Sequence, residues 1–192
     1  MKTVQKILTI CLLLLFVATN SNAQLGIRAG ANFAKVNSNE DAVVIKNNLG
    51  YHLGLVYQAR IVDNIFFRPG LLYTLRGSKS EFLNVTRNTR TNYFEIPLDF
   101  QVKLGRAESN RLGLYAGPYI AFLVSAESDD TDVSDLYKGT DFGFNVGLTY
   151  DFLFFTVGVN YGAGLQNVAD DVNFEDLEIR NQLISAFGVL QF

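Results

Sequence analysis

The sequence predicts an all-β chain: an eight-stranded antiparallel up-and-down transmembrane β-barrel. Three observations carry that prediction. First, apolar and polar residues alternate with a two-residue period in eight segments, as in Phe142, Phe144, Val146, Leu148 and Tyr150, or Phe94, Ile96, Leu98, Phe100 and Val102. Second, the positions between them hold Gly, Asn, Thr, Arg, Glu and Asp, so the chain supplies no second greasy layer to cover the first. A closed barrel in lipid resolves this by turning the oily residues outward and the small or polar ones inward, and closure leaves no sheet edge unpaired in hydrocarbon. Third, the connections between the segments alternate long and short, the asymmetry of barrels with short periplasmic turns and longer external loops.

The first strand is about Leu25–Lys35, with Leu25, Ile27, Ala29, Ala31 and Phe33 opposed to Gly26, Arg28, Gly30 and Asn32. The second, about Tyr51–Ile61, sets Leu53, Leu55, Tyr57 and Ile61 against His52, Gly54, Gln58 and Arg60. The third, about Ile65–Gly77, sets Phe67, Leu71, Tyr73 and Leu75 against Arg68, Gly70, Thr74 and Arg76. In the fourth, about Asn92–Leu104, the inward set is Tyr93, Glu95, Asp99, Gln101 and Lys103. The fifth, about Arg111–Val124, turns Gly113, Tyr115, Gly117 and Tyr119 inward. The sixth runs about Asp141–Tyr150 and the seventh about Leu153–Leu165, with Thr156, Gly158, Asn160, Gly162 and Gly164 inward. The eighth, about Asn181–Phe192, leaves its face open, because Leu183, Phe187 and Val189 compete with Ile184, Leu190 and Phe192. Strands of this length suit tilted membrane spans, which need about 9–11 residues. Tyr51, Tyr73, Tyr150 and Tyr161 fall near strand ends on the oily face, where aromatic girdles meet the lipid–water boundary.

The long connections are Val36–Gly50, Ser78–Thr91, Ser125–Thr140 and Gln166–Arg180; the short ones are Val62–Asn64, Gly105–Asn110 and Asp151–Phe152. Residues 1–23 read as an export signal: Lys2 and Lys6, an apolar stretch over Ile7–Ala18, and small residues at Ser21 and Ala23 before Gln24. Residues 24–192 then form one barrel domain without a cysteine, since Cys11 lies in the signal; this excludes disulfides and thiolate metal sites. Loss of Lys2 and Lys6 takes the basic residues from 16 to 14 against 19 acidic ones, a net charge of −5. With no basic stripe to meet phosphates, nucleic acid is not an expected partner.

A water-soluble barrel of lipocalin type is the structural alternative, and it would need an apolar interior. The predicted interior instead collects a lumenal polar network of Arg28, His52, Arg60, Arg68, Arg76, Glu95, Asp99 and Lys103. If the second and third strands pair about Asp63, Gln58 faces Arg68 and His52 faces Thr74; Arg76 with Glu95 and Arg68 with Asp99 are the expected lumenal pairs. An eight-stranded barrel is about wide enough for side chains to fill it, which reads as a plug of mutually neutralised charge rather than an ion path. His52, the one histidine, raises a second alternative, a lipid-modifying membrane enzyme. A nucleophile needs its base within about 3 Å, and the register gives His52 a threonine neighbour and no serine. In the third long connection Asp130, Asp132 and Ser134, with Asp141 beyond them, partly echo a calcium loop, but Asp135 stands where the turn-making glycine belongs. These four are the candidate divalent-ion residues; no cofactor is expected.

Several runs resemble the PorT-like outer-membrane β-barrel family: Gly26-Ile27-Arg28-Ala29-Gly30-Ala31-Asn32, Phe67-Arg68-Pro69-Gly70-Leu71-Leu72-Tyr73, Tyr93-Phe94-Glu95-Ile96-Pro97-Leu98, Leu114-Tyr115-Ala116-Gly117-Pro118-Tyr119 and Asn160-Tyr161-Gly162-Ala163-Gly164-Leu165. The resemblance covers essentially the whole chain after the signal. It implies a bacterial outer-membrane location. Its motifs specify a barrel and not a reaction. Namesake members of that family take part in protein secretion across the outer membrane, while others have no assigned role. The resulting expectation is a monomeric, non-enzymatic barrel in contact with outer-membrane lipid and lipopolysaccharide. Its external loops would serve structural or recognition roles, with an envelope or secretion protein as partner.

Overall fold

The computed structural model describes residues 24–38, 44–82, 85–105, 110–129, 131–165 and 179–192. The expected export signal and the acidic residues Asp170, Asp171, Glu175, Asp176 and Glu178 of the fourth long connection lie outside them. Among the described residues nine strands follow one another: β1 (Gln24–Ser38), β2 (Val44–Val62), β3 (Ile65–Phe82), β4 (Val85–Leu104), β5 (Arg111–Ser128), β6 (Thr131–Asp132), β7 (Thr140–Phe152), β8 (Phe155–Gly164) and β9 (Ile179–Gln191). Each barrel strand pairs antiparallel with its neighbours, and β1 meets β9 to close the ring. The two-residue β6 is an appendage folded back on β5. The result is a closed eight-stranded meander.

Closure can be read from the register. Followed from Gly26 through Val56, Gly70, Pro97, Tyr119, Gly143 and Gly164, the ladder returns to β1 at Val36, ten residues further along the same strand. Eight strands with that stagger tilt by about 40° and enclose an interior that side chains can fill. The alternation then sorts residues as the sequence predicts. Leu53, Leu55, Phe94, Phe100, Phe144, Val146 and Leu148 are exposed on the outer surface, while Arg28, His52, Arg68, Arg76, Glu95, Asp99 and Lys103 are buried within.

Space for that interior comes from close approach at small residues. Tyr115, Tyr119 and Phe187 each lie over the glycine directly opposite on the next strand: Gly147, Gly143 and Gly158. A Cβ on Gly143 would sit 2.8 Å from the Tyr119 ring, so the aromatic ring occupies the volume that the glycine vacates. β9 takes its face from the same packing: Val189 stands opposite Thr156 and Ser185 opposite Asn160, which turns Leu183, Ser185, Phe187 and Val189 inward and Ile184 and Leu190 outward.

The strands around one half of the ring are longer than the alternation suggests. β3 and β4 remain paired up to Phe82 opposite Val85, where the alternation predicts a loop over Ser78–Thr91. β2 extends up to Val44, and β5 to Ser128. Beyond the membrane the outer face no longer needs oil, so the apolar signal stops while backbone hydrogen bonds continue the ladder. On the opposite side β8 ends at Gly164. With about 2.5 Å of height per tilted residue, the β4 wall stands roughly 15–20 Å above the β8 wall. The short turn between β7 and β8 falls at Leu153-Phe154, two residues later than predicted, with Leu153 at φ 46°.

Candidate functional site

The interior divides into three tiers along the axis. Nearest the long-loop end, Arg76 donates to Asp141 Oδ2 at 2.7 Å and to Glu95 Oε2 at 2.8 Å. Its guanidinium also lies 4.7 Å from the Tyr93 ring centre, and the Tyr119 hydroxyl donates to Asp141 Oδ2 at 3.4 Å. The Arg76–Glu95 pair is as expected. Asp141 was missed as a partner because the ladder brings it there from a strand 65 residues away.

The middle tier centres on His52. Arg28 Nε donates to His52 Nε2 at 3.2 Å, so Nδ1 carries the proton and donates to Asn32 Oδ1 at 2.7 Å. Asn32 passes the chain on, its amide nitrogen donating to the Leu75 carbonyl at 3.2 Å. The Arg28 guanidinium lies 3.7 Å from the Phe187 ring centre, beside an apolar cluster of Val56, Leu72, Tyr115, Phe187 and Val189. The Tyr115 hydroxyl donates to Asn160 at 2.9 Å, and Asn160 to Asn145 at 3.2 Å. Thr74 stands opposite His52, as predicted, but its hydroxyl has no hydrogen-bond partner among the described residues. Arg68 stands opposite Asp99 in the ladder, as predicted; among the described residues they make no hydrogen-bonded pair, and the Arg68 guanidinium lies 5.5 Å from the Tyr115 ring centre instead.

At the short-turn end, Lys103 meets Asp151 at 2.7 Å and Arg111 approaches the same carboxylate at 3.8 Å. Thr156 donates to Asp151 Oδ1 at 2.8 Å, and Gln101 to Thr149 at 2.6 Å. Phe66 lies among Lys103, Arg60 and Arg111. Arg60 is exposed: it stands opposite the buried Phe66 and keeps the lumenal face, but it lies at the mouth, near the end of the strand, so it is not buried with the rest of the expected network.

Among the described residues the buried cations are Arg28, Arg68, Arg76 and Lys103, and the buried carboxylates are Glu95, Asp99, Asp141 and Asp151. Four meets four, so the formal charges buried in the described interior sum to zero; buried charges away from water persist when paired. The metal expectation also changes. Asp141 is fully buried on Arg76, not free to join a loop site. Asp130 lies outside the described residues. Asp132 accepts the Ser134 backbone N–H at 2.9 Å, and the Ser134 hydroxyl donates to the Ala126 carbonyl at 3.5 Å. Hydrogen bonding from Ser134, by its side chain and its backbone N–H, holds the exposed Asp132 carboxyl below its ordinary range. Among the described residues, no three metal-ligating side chains converge.

An oily exterior, a polar packed interior and a closed ladder together define a transmembrane β-barrel, and the soluble carrier is set aside. The sequence matches the outer membrane protein beta-barrel domain family over residues 18–170, and the chain belongs to that family. It is a bacterial outer-membrane protein. Its fold is similar to that of the outer membrane protein OprG from Pseudomonas aeruginosa, at 11% identity and TM-score 0.58, covering 90% of this chain and 97% of that one. It is also similar to Neisserial surface protein A, at 15% identity and TM-score 0.53, covering 88% and 97%. No curated protein matches the sequence.

Proposed function

We propose that this barrel performs no chemistry and conducts no ions, and that it works as a plugged monomeric support for a tall external wall. The wall, built from the extended ends of β2–β5 and the fold-back at β6, presents a recognition surface to outer-membrane lipid, lipopolysaccharide, or an envelope or secretion protein. The PorT-like resemblance agrees with a role in such an assembly. One observation carries the reading: both ring nitrogens of His52 are already engaged, by Arg28 and Asn32, inside a lumen whose charges cancel. A general base needs a free nitrogen within reach of its proton. The test pairs two measurements. Purified protein in a planar bilayer should give no conductance steps, and cells carrying His52→Ala should keep their lipid A composition. Stepwise conductance, or altered lipid A, ends the proposal.

A further inference from the structure

The outer face of the β4–β5 hairpin changes character at one bulge. Tyr93 pairs with Leu123 but Asn92 pairs with Ser125, so Val124 is the extra residue on β5. Below it the outward residues are oily: Phe94, Phe122 and Val124 are all exposed. Above it they are polar. Asn92 Nδ2 donates to Ser125 Oγ at 2.9 Å, then Arg90 stands opposite Glu127, and Asn88 meets Asp129. The bulge therefore marks where the wall leaves hydrocarbon.

Asn88, Arg90, Glu127 and Asp129 line a pocket on that outer face. Two hydrogen bonds of 3.1 Å, Asn88 N–H to Asp129 Oδ1 and Asp129 N–H to the Asn88 carbonyl, fix its upper rim. The groups left over point to a ligand. Among the described residues the Asn88 side-chain oxygen has no hydrogen-bond partner. Arg90 and Glu127 are opposed in the ladder and exposed, yet among the described residues they make no ion pair. The Asn88 amide, a guanidinium and two carboxylates lining one pocket present donors and acceptors side by side.

We infer that this pocket binds the sugar headgroup of an outer-leaflet glycolipid whose acyl chains lie along Phe94, Phe122 and Val124. Height agrees. Arg90 and Asn88 are two and four residues above Asn92 at the bulge, roughly 5–10 Å at the barrel tilt. A phospholipid headgroup layer reaches about 5–8 Å past the hydrocarbon, so it meets the lower rim at Arg90 and stops short of Asn88 and Asp129, which a sugar headgroup reaches. Charge agrees: one arginine against two carboxylates disfavours a phosphate and suits hydroxyls, which both donate and accept. The inference deepens the recognition role proposed above and rests on it.

Native mass spectrometry of the detergent-purified protein tests it with three probes: diglucosyl-diacylglycerol, phosphatidylethanolamine with the same acyl chains, and the free disaccharide. The glycolipid should be bound at least tenfold more tightly than either of the others. The Asn88→Ala/Arg90→Ala variant should bring glycolipid and phospholipid within twofold, and Glu127→Gln, nearly isosteric, should cut the preference severalfold with thermal stability unchanged. Equal binding of the two lipids, or a preference that survives both variants, overturns the site. Free disaccharide bound as tightly as the glycolipid overturns the lipid assignment. Conductance and lipid A composition are indifferent to all of these results, so failure of the pocket is separable from failure of the plug.

Discussion

Arg76 shows what single residues contribute here. It lies between two carboxylates and two tyrosine rings. Arg76→Met keeps much of the volume but takes the guanidinium away from Glu95 and Asp141; removing one partner of a buried ion pair costs about 3–5 kcal/mol. Urea unfolding of the protein in lipid vesicles should show a loss in that range, and a loss under about 1 kcal/mol would mean that groups other than Arg76 satisfy the two carboxylates. A smaller, pH-dependent effect is expected at Asp132. Its carboxyl titrates below its unfolded value because Ser134 bonds the charged form. The Asp132–Ser134 contact is therefore complete above the ordinary carboxylate range and is lost as pH falls through the lowered value. Amide exchange at Ser134 should accelerate on acidification below about pH 4, corrected for intrinsic rates; a pH-independent protection factor would contradict the assignment.

At the scale of strands, faces and close approaches decide. Val146 is exposed on the outer face of β7, with Phe144 and Leu148 beside it near the middle of the oily band. Val146→Arg should cost about 2–4 kcal/mol at such a depth, read from the folding midpoint in vesicles; an unchanged midpoint would remove lipid from that face. On the inner side, Gly147→Val would drive a branched side chain into the Tyr115 ring and the Val159 carbonyl of β8. Overpacking of this kind costs about 1–3 kcal/mol, and Gly147→Val/Tyr115→Ala should recover part of it in the same assay. Strand identity was legible in the sequence because a two-residue period survives without knowledge of any partner. The face of β9 was not legible, since both of its residue sets are apolar; Thr156 and Asn160 on β8 settle it through the register. Nor was the length of β2–β5 legible, because a ladder outside lipid leaves no apolar trace.

For the whole molecule, the tall wall lies at one end of the barrel, and the start of β1 and Phe192 lie at the other, with the Phe192 N–H bonded to the Leu25 carbonyl at 2.9 Å. In intact cells, added protease should therefore cut at the exposed β5–β6 turn at Asp129 before it cuts at Asp63 or Leu153, since exposed tips are nicked first. First cuts at Asp63 or Leu153 would invert the orientation.

By itself the amino-acid sequence determined that oil faces out and polarity faces in, how many strands alternate, and the inward place of the charges Arg28, Arg68, Arg76, Glu95, Asp99 and Lys103, because each of these is a property of neighbours along one strand. Only closure of the ring decided who meets whom: that Asp141 and Asp151 complete the pairs of Arg76 and Lys103, that Arg60 escapes to the mouth, and that His52 is held between Arg28 and Asn32. Those contacts depend on a stagger of ten residues around eight strands. A shift of one residue in any single ladder would flip a strand's faces, and no local pattern records the sum.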